Sequence, residues 1–360
     1  MLKAAIVGAT GIVGQQFVLA LQHHPWFRIE GLAASQRSAG QSYGNALRDP
    51  DSGALRWYDR TPPDSAILDL PVEVAEDLDA SRFDVIFTGV ESGPAKVLEP
   101  LYAKQCPVVS TASAFRYDDD VPVLIPAVND DHIGIIKQQQ QQRGWKGFIT
   151  PQPNCTTVGL AMTLAPLASQ FGIDTVVMTS LQAVSGSGRN GGVLSLDIVD
   201  NVIPYIPKEE EKVQQEVRKI LGRSTPSGLE PAEMRISTTC TRVPVIDGHT
   251  ESVLVVTRQK ADLSDVRAAF ERFGQEFVAL GLPSSPQQFI VVHDDPFRPQ
   301  PRLDRDTDDG MATVVGRLRA DTAFELGLQY VLVSHNTKMG AAKGAVLTAE
   351  LLSHKGCIGF

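Results

Sequence analysis

Cysteine is scarce in this 360-residue chain. The four present, Cys106, Cys155, Cys240 and Cys357, are widely spaced and form no CxxC pair. A disulfide framework and a zinc site are therefore not expected, and a reducing cytoplasm is the natural compartment. No apolar run approaches the ~18 residues of a membrane-spanning helix, so no membrane association is expected. The first residues, MLKAAIVGATG, pass from an apolar strand straight into a glycine turn, so a folded start is expected rather than a signal peptide. There is no excess of positive charge either. With 33 basic against 42 acidic residues the formal net charge is −9, which disfavours a nucleic-acid partner. Two chemical signatures are missing as well: no Tyr-x-x-x-Lys pair and no GxxxxGK[ST] loop occurs. The first absence argues against a short-chain dehydrogenase, the second against a P-loop.

What is there reads as a globular protein, with 42% hydrophobic and 21% charged residues. At roughly 150 residues per domain the length predicts two domains. Residues 2–7 and 27–34 read as strands around a helix from Ile12 to about Gln22. Further short apolar runs at 83–88 and 107–110 flank a helical stretch at 95–104. Strands alternating with helices predict a parallel sheet that binds its ligand at the strands' carboxyl ends. Beyond residue 150 the texture changes. A helix over 156–171 precedes longer strands at 174–182, 234–245 and 252–257, which predict a mixed or antiparallel sheet. A charged helix runs from Lys208 to Leu221, and the alanine- and leucine-rich segment 337–352 forms a last helix that packs back on the first domain. The five glutamines at 138–142 read as a solvated helix end or loop.

Gly8, Gly11 and Gly14 form a GxxGxxG turn between the first strand and the first helix. Such a turn lets a phosphate approach backbone, and the helix N-terminus at Ile12 and Val13 supplies N–H donors; Thr10 completes the turn. This is a Rossmann-like dinucleotide site. An NAD site carries an acid about 20 residues further on. Here the second strand ends in Ser35-Gln36-Arg37-Ser38, with no carboxylate, so Ser35, Arg37 and Ser38 favour the 2′-phosphate of NADP.

Cys155 stands in Pro153-Asn154-Cys155-Thr156-Thr157 at the start of a helix, where positive potential favours the thiolate and makes it the candidate nucleophile. Cys240 lies in a strand-like run and lines the site without reacting, or is a core residue. Gln182 opens a small-residue loop, Ala183 to Gly188, whose Ser185 and Gly186 let a cofactor or substrate lie against backbone. Arg242 and His249 flank a predicted turn. Arginine offers a fork for a carboxylate and histidine exchanges protons near neutrality. In the charged helix, Glu209 with Lys212 and Glu216 with Lys219 repeat one spacing two turns apart, so spacing alone leaves open which pair faces a cleft.

Taken together, GATGIVG (8–14), SQRSAG (35–40), PNCTT (153–157), QAVSGSG (182–188), DNVIPYI (200–206), EEEK (209–212), RVPVIDGHTE (242–251) and SHNTKMGAA (334–342) resemble, in order, the aspartate-β-semialdehyde dehydrogenases of the archaeal and fungal-type branch. The resemblance covers nearly the whole chain. It implies an NADP-binding domain from 1–152 and 335–360, and an α+β catalytic and dimerisation domain with a mixed sheet from 153–334. It also implies a homodimer or homotetramer and reversible, phosphate-linked reduction of L-aspartyl-4-phosphate to L-aspartate-4-semialdehyde, on the route to lysine, threonine and methionine. Carried over residue by residue, Cys155 is the nucleophile, His249 the acid/base and Gln182 the group that orients the intermediate. Arg242 binds the α-carboxylate, Glu209 the ammonium, and Lys212, Arg116 and Asn154 the phosphate; Asn336 lies beside the nicotinamide. Glu209 and Lys212 are the pair this resemblance favours. Malonyl-CoA reductase resembles the same branch but has no ammonium for Glu209 to meet. A non-catalytic NADP-binding regulator has no chemical need for Cys155, Gln182, Arg242 and His249 together.

Overall fold

Six strands, β1 (Leu2–Val7), β2 (Phe27–Ala34), β3 (Val72–Val74), β4 (Val85–Thr88), β5 (Val108–Ser110) and β6 (Ile149–Pro151), form one sheet in the order β3-β2-β1-β4-β5-β6, in a computed structural model that describes residues 1–188, 195–225 and 228–359. Every pair in it is parallel. The central strands are apolar on both faces because helices cover both, as a buried parallel sheet requires. This is the doubly wound order in which the strand sequence reverses beside β1, opening a crevice at the carboxyl ends of β1 and β4.

The second sheet holds β7 (Ile173–Gln182), β8 (Arg235–Arg242), β9 (His249–Thr257), β10 (Ile290–Val292), β11 (Thr313–Ala320) and β12 (Gly327–Ser334), in the order β8-β7-β9-β12-β11-β10. It is mixed: β8 runs parallel to β7 and β10 to β11, and the remaining neighbours are antiparallel. Along β7 burial alternates. Val176, Met178 and Ser180 point into the core, while Val177 and Leu181 stay 43% and 38% exposed. That alternation is the signature of a sheet covered on one face.

Among the described residues, the longer helices that complete the frame are α1 (Ile12–Leu21), α2 (Ser92–Ala103), α3 (Ile135–Arg143), α4 (Cys155–Phe171), α5 (Glu209–Ile220), α6 (Leu263–Arg272) and α7 (Ala342–His354). Helix α4 starts where Asn154 Oδ1 accepts the N–H groups of Thr156 (2.9 Å) and Thr157 (3.4 Å), a side-chain cap that stabilises the end by about 1 kcal/mol. It is buried almost all round because it fills the covered face of the second sheet. Helix α7 is buried on every side too. Ala345, Val346 and Ala349 pack with Phe17, Val18 and Leu21 of α1, while Leu347 and Leu351 belong to the core of the second sheet. Its Glu350 accepts His24 Nε2 at 2.8 Å from one side and the Ser284 N–H from the other.

One expectation is corrected. The glutamine run lies in α3, but it is not simply solvated, because Gln139 is fully buried. Its amide donates to the Asp120 and Ile149 carbonyls and accepts the Ile149 N–H at 2.6 Å, satisfying the backbone of edge strand β6. Only Gln141 and Gln142 are exposed. Strands β11 and β12 carry no expectation from the sequence.

Candidate active site

The glycine turn is built by close approach. Gly8 has φ +80°, and a Cβ there would stand 2.7 Å from the Gly89 carbonyl oxygen. A Cβ on Gly14 would stand 2.1 Å from the Gly8 carbonyl oxygen. Three backbone segments, from β1, α1 and the end of β4, therefore touch with no room for a side chain. The N–H groups of Ile12 and Val13, in the first turn of α1, have no carbonyl one turn back and face outward as donors. These residues, with Thr10, Gly11, Ser35, Arg37 and Ser38, line one end of a cleft of about 1190 Å³. The glycine cradle and the cationic rim at Arg37 fit a dinucleotide phosphate.

The other end of the same cleft is lined by Arg116, Asn154, Cys155, Ser185, Gly186, Glu209, Lys212, Arg242 and Asn336. Sheet register explains the convergence. Gln182 and Arg242 are partners at the carboxyl ends of the parallel strands β7 and β8, and His249 opens the antiparallel β9 at the same end. Asn336 follows the end of β12. Its Nδ2 donates to Ser185 Oγ at 2.8 Å and its Oδ1 accepts the Gly248 N–H at 2.9 Å, tying the small-residue loop to the turn before His249.

Cys155 and His249 meet, with Sγ 3.1 Å from Nε2. His249 is fully buried, and its Nδ1 accepts the backbone N–H of Ala183 at 3.1 Å. A backbone N–H can only donate, so Nδ1 is bare and the neutral ring carries its proton on Nε2, facing the sulfur. Burial, with Arg242 and His335 nearby, lowers the His249 pKa to about 3, which keeps the ring neutral across the ordinary range. Burial and then the Glu209 carboxylate push the Cys155 thiol up to about 12, against Arg242 and Arg116, which pull it down. Ligands that neutralise Glu209 therefore favour the thiolate.

Arg242 is buried, donates Nη1 to the Ala183 carbonyl at 2.8 Å, and has its pKa lowered by that burial. Gly186 lies against it, since a Cβ there would come 2.9 Å from Arg242 Nη1. Arg116 donates Nη2 to the Thr111 carbonyl at 2.9 Å, and its buried Nε has no protein partner. Glu209 accepts Asn154 Nδ2 at 2.9 Å and stands 3.7 Å from Lys212 Nζ.

Of the two glutamate–lysine pairs, Glu209 and Lys212 line the cleft; Glu216 and Lys219 sit behind its wall, hydrogen-bonded to Arg116. Gln182 also stands behind the wall, donating to Ser180 Oγ at 3.2 Å. Cys240 is fully buried in β8 and does not line the cleft. Gly89 to Ser92 and Thr111 to Ser113, which carry no expectation from the sequence, line the cleft after β4 and β5. Their signal was available, since they follow apolar strands where a parallel sheet places ligands. Tyr58 donates to Asp247 Oδ1 at 2.8 Å across 189 positions of sequence, and nothing in the sequence foretold that. Among the described residues no cluster of His, Cys, Asp and Glu is arranged to hold a metal ion, and no helix is long and apolar enough to cross a membrane.

Residues 3–136 match the semialdehyde dehydrogenase NAD-binding domain, and residues 164–339 match the semialdehyde dehydrogenase dimerisation domain. The chain is 42% identical to an aspartate-semialdehyde dehydrogenase of Methanothermobacter thermautotrophicus, over 98% of this chain and 99% of that one. It is 44% identical to the enzyme of Archaeoglobus fulgidus, over 97% of each. The crystal structure of aspartate-semialdehyde dehydrogenase with NADP from Candida albicans superposes with a TM-score of 0.88 at 38% identity, covering 99% of this chain and all of that one. An aspartate-semialdehyde dehydrogenase II of Vibrio cholerae, complexed with ASA, gives 0.76 at 27% identity, with 98% of each chain covered. With two domain models that between them span most of the sequence, and relatives alike over nearly their full length, the chain belongs to the aspartate-semialdehyde dehydrogenase family.

Proposed function

We propose that this enzyme carries out the NADP-dependent, phosphate-linked interconversion of L-aspartyl-4-phosphate and L-aspartate-4-semialdehyde through a thioester on Cys155, in the biosynthesis of lysine, threonine and methionine. The observation that carries this reading is the 3.1 Å contact between Cys155 Sγ and His249 Nε2 at the start of α4, opening into the cleft that also holds the glycine turn. In the reductive direction Cys155 sulfur attacks the acyl carbon. The carbon–sulfur bond forms, the carbon–oxygen bond to phosphorus breaks, and phosphate departs with one proton. NADP would be held on the Gly8–Gly14 turn, with Ser35, Arg37 and Ser38 for its 2′-phosphate and Asn336 for its nicotinamide, and in its reduced form would supply the hydride. The carbonyl oxygen then carries negative charge until the carbon–sulfur bond breaks and the aldehyde leaves.

We assign His249 the acid/base role; with the proton on Nε2 it acts as donor, so the proton that leaves with phosphate is the thiol's own, and the thiolate freed with the aldehyde is reprotonated from water. Nε2 is the one ring atom free to face sulfur and oxygen, and its N–H stabilises the charge that each step leaves there. Gln182 turns from Ser180 to orient the acyl group. Arg242 takes the α-carboxylate and Glu209 the ammonium, and that ammonium offsets the Glu209 charge that adds to burial in holding the thiol protonated. Arg116, Lys212 and Asn154 gather the phosphate. Splitting the reduction into thioester formation and hydride addition replaces one difficult step by two easier ones. The nucleotide-binding part comprises 1–152 and 335–360, and the catalytic part 153–334. Copies pair through the open face of the second sheet, a reading supported by its exposed Val177 and Leu181 and by the dimerisation-domain match. Four free cysteines support a reducing cytoplasm.

The test follows NADPH formation by near-ultraviolet absorbance with L-aspartate semialdehyde, NADP and phosphate, beside Cys155→Ala. Turnover that requires phosphate and disappears in the variant is the expected result. No turnover in the parent, with NADP still bound, would leave the fold standing and sink the substrate assignment.

A further inference from the structure

Helix α5 turns a second carboxylate toward the site without exposing it. Glu216 lies two turns beyond Glu209, is 1% exposed, and does not line the cleft. Both of its oxygens are occupied by groups from the two sides of the site. Oε2 accepts the backbone N–H of Asn154, the residue before the nucleophile, at 2.6 Å. Oε1 accepts Arg116 Nη1 at 3.0 Å and the Tyr117 hydroxyl at 3.3 Å. One turn on, Lys219 Nζ donates to the Arg116 and Asp118 carbonyls at 2.8 and 2.7 Å, holding the backbone of the same segment to the same helix.

The positions tied together lie 62 and 100 residues from Glu216, on the turn that enters α4 and on the loop after β5. Neither is fixed to the other directly by a side chain of its own. Asn154 spends Oδ1 on the cap of α4 and one Nδ2 hydrogen on Glu209. Arg116 is pinned on its far side by the Thr111 carbonyl and keeps Nε unpartnered. The separation between the Arg116 guanidinium and Cys155 is thus set through the Glu216 carboxylate. Phosphate must sit within hydrogen-bond reach of the one while its ester carbon is within attack distance of the other, and a displacement near 1 Å costs on the order of 100-fold in rate.

We propose that Glu216 is a positioning residue. It spans the phosphate-holding Arg116 and the backbone of the nucleophile's turn, and so fixes the distance between phosphate and sulfur without touching either. The proposal rests on the phosphate-linked reaction assigned above and adds to it a residue that contacts no substrate.

Glu216→Gln removes one acceptor and puts an N–H against either the Asn154 N–H or the Arg116 guanidinium, so one of the two ties becomes repulsive. The expected result is a rise of about tenfold or more in the phosphate KM with a fall in kcat. The KM for NADP stays unchanged, because the glycine turn is elsewhere. Glu216→Asp keeps the charge but is too short to reach both partners, and it shows the same pattern; it decides the matter if the glutamine variant folds poorly. Protection of Cys155 against iodoacetamide by inorganic phosphate gives a second readout without turnover, and its half-saturation shifts upward in parallel. A variant whose melting falls while its phosphate KM and phosphate protection match the parent shows a purely structural carboxylate and overturns the proposal. A parent with neither phosphate-dependent turnover nor phosphate protection overturns the reaction itself, so the two failures are distinguishable.

Discussion

Substitution of two glycines in one turn separates what the turn does for the fold from what it does for the cofactor. A Cβ on Gly14 falls 2.1 Å from the Gly8 carbonyl oxygen and 2.7 Å from Ala9 Cα. Ordinary contact needs more than 3 Å, so α1 has to retreat from β1 by about 1 Å. The neighbour cannot give, since Gly8 is itself wedged against Gly89. Moving α1 loosens Phe17, Val18 and Leu21, so Gly14→Ala falls at the upper end of overpacking costs, about 3 kcal/mol. At roughly 2 °C per kcal/mol in a chain of this size, melting drops by about 6 °C. Gly11 differs. Its φ is −74° and an added Cβ stands 3.4 Å from the nearest atom, so Gly11→Ala changes stability by no more than about 1 kcal/mol. Its methyl projects into the cleft, however, and NADP affinity falls about tenfold or more. Scanning calorimetry without ligand, followed by the rise of melting temperature with NADP concentration, reads both effects. A Gly14→Ala protein that melts with the parent, or a Gly11→Ala protein with the parent's full NADP-induced rise, would refute the argument.

Glu251 is fully buried with no partner on either oxygen, and burial raises its pKa well above the carboxylate range. Folding therefore takes up a proton between the unfolded and folded pKa values, and stability is lost there as pH rises, at up to about 1.4 kcal/mol per pH unit. Glu251→Gln removes that dependence. Its urea midpoint should gain on the parent from pH 5 to pH 8, and a constant difference would show that the carboxyl is not held protonated. In α3, Gln139→Ala strands two buried carbonyls and one N–H and should cost about 2–4 kcal/mol, whereas the exposed Gln141→Ala stays within about 0.5 kcal/mol. Denaturant melts of the two side by side check this, and equal losses would mean that the run acts only as helix surface.

The legible parts of the sequence were those whose signal is local. LKAAIV followed by Gly8, Gly11 and Gly14 announces a buried strand and a cradle because each residue there constrains its immediate neighbours. Asn154 before Cys155 announces a helix start for the same reason. Strands β3, β6 and β10, of three residues each, are too short to show a period of two. In β11 the register slips between Gly316 and Arg319, which breaks the alternation. Within the site, residue types were readable and their division of labour was not. Glu209 and Glu216 have the same spacing to a lysine, and what separates them is the wall formed by Arg116 and Asn154, brought there from distant parts of the chain. The N–H of Ala183 that fixes the His249 proton belongs to no side chain at all, so no pattern of residue types can reveal it.

Helix α7 has a consequence for how the molecule is made. It supplies Ala345, Val346 and Ala349 to the packing around α1 and Leu347 and Leu351 to the other core. A ribosome that releases the chain from its first residue onward delivers β1, α1 and the cofactor cradle early, yet the surface that α7 covers stays bare until some 340 residues have emerged. The first sheet is thus begun first and covered last, after the strands of the second sheet have emerged. Both cores are sealed in one late event, and until then the nascent enzyme exposes apolar surface on each half that a chaperone has reason to hold.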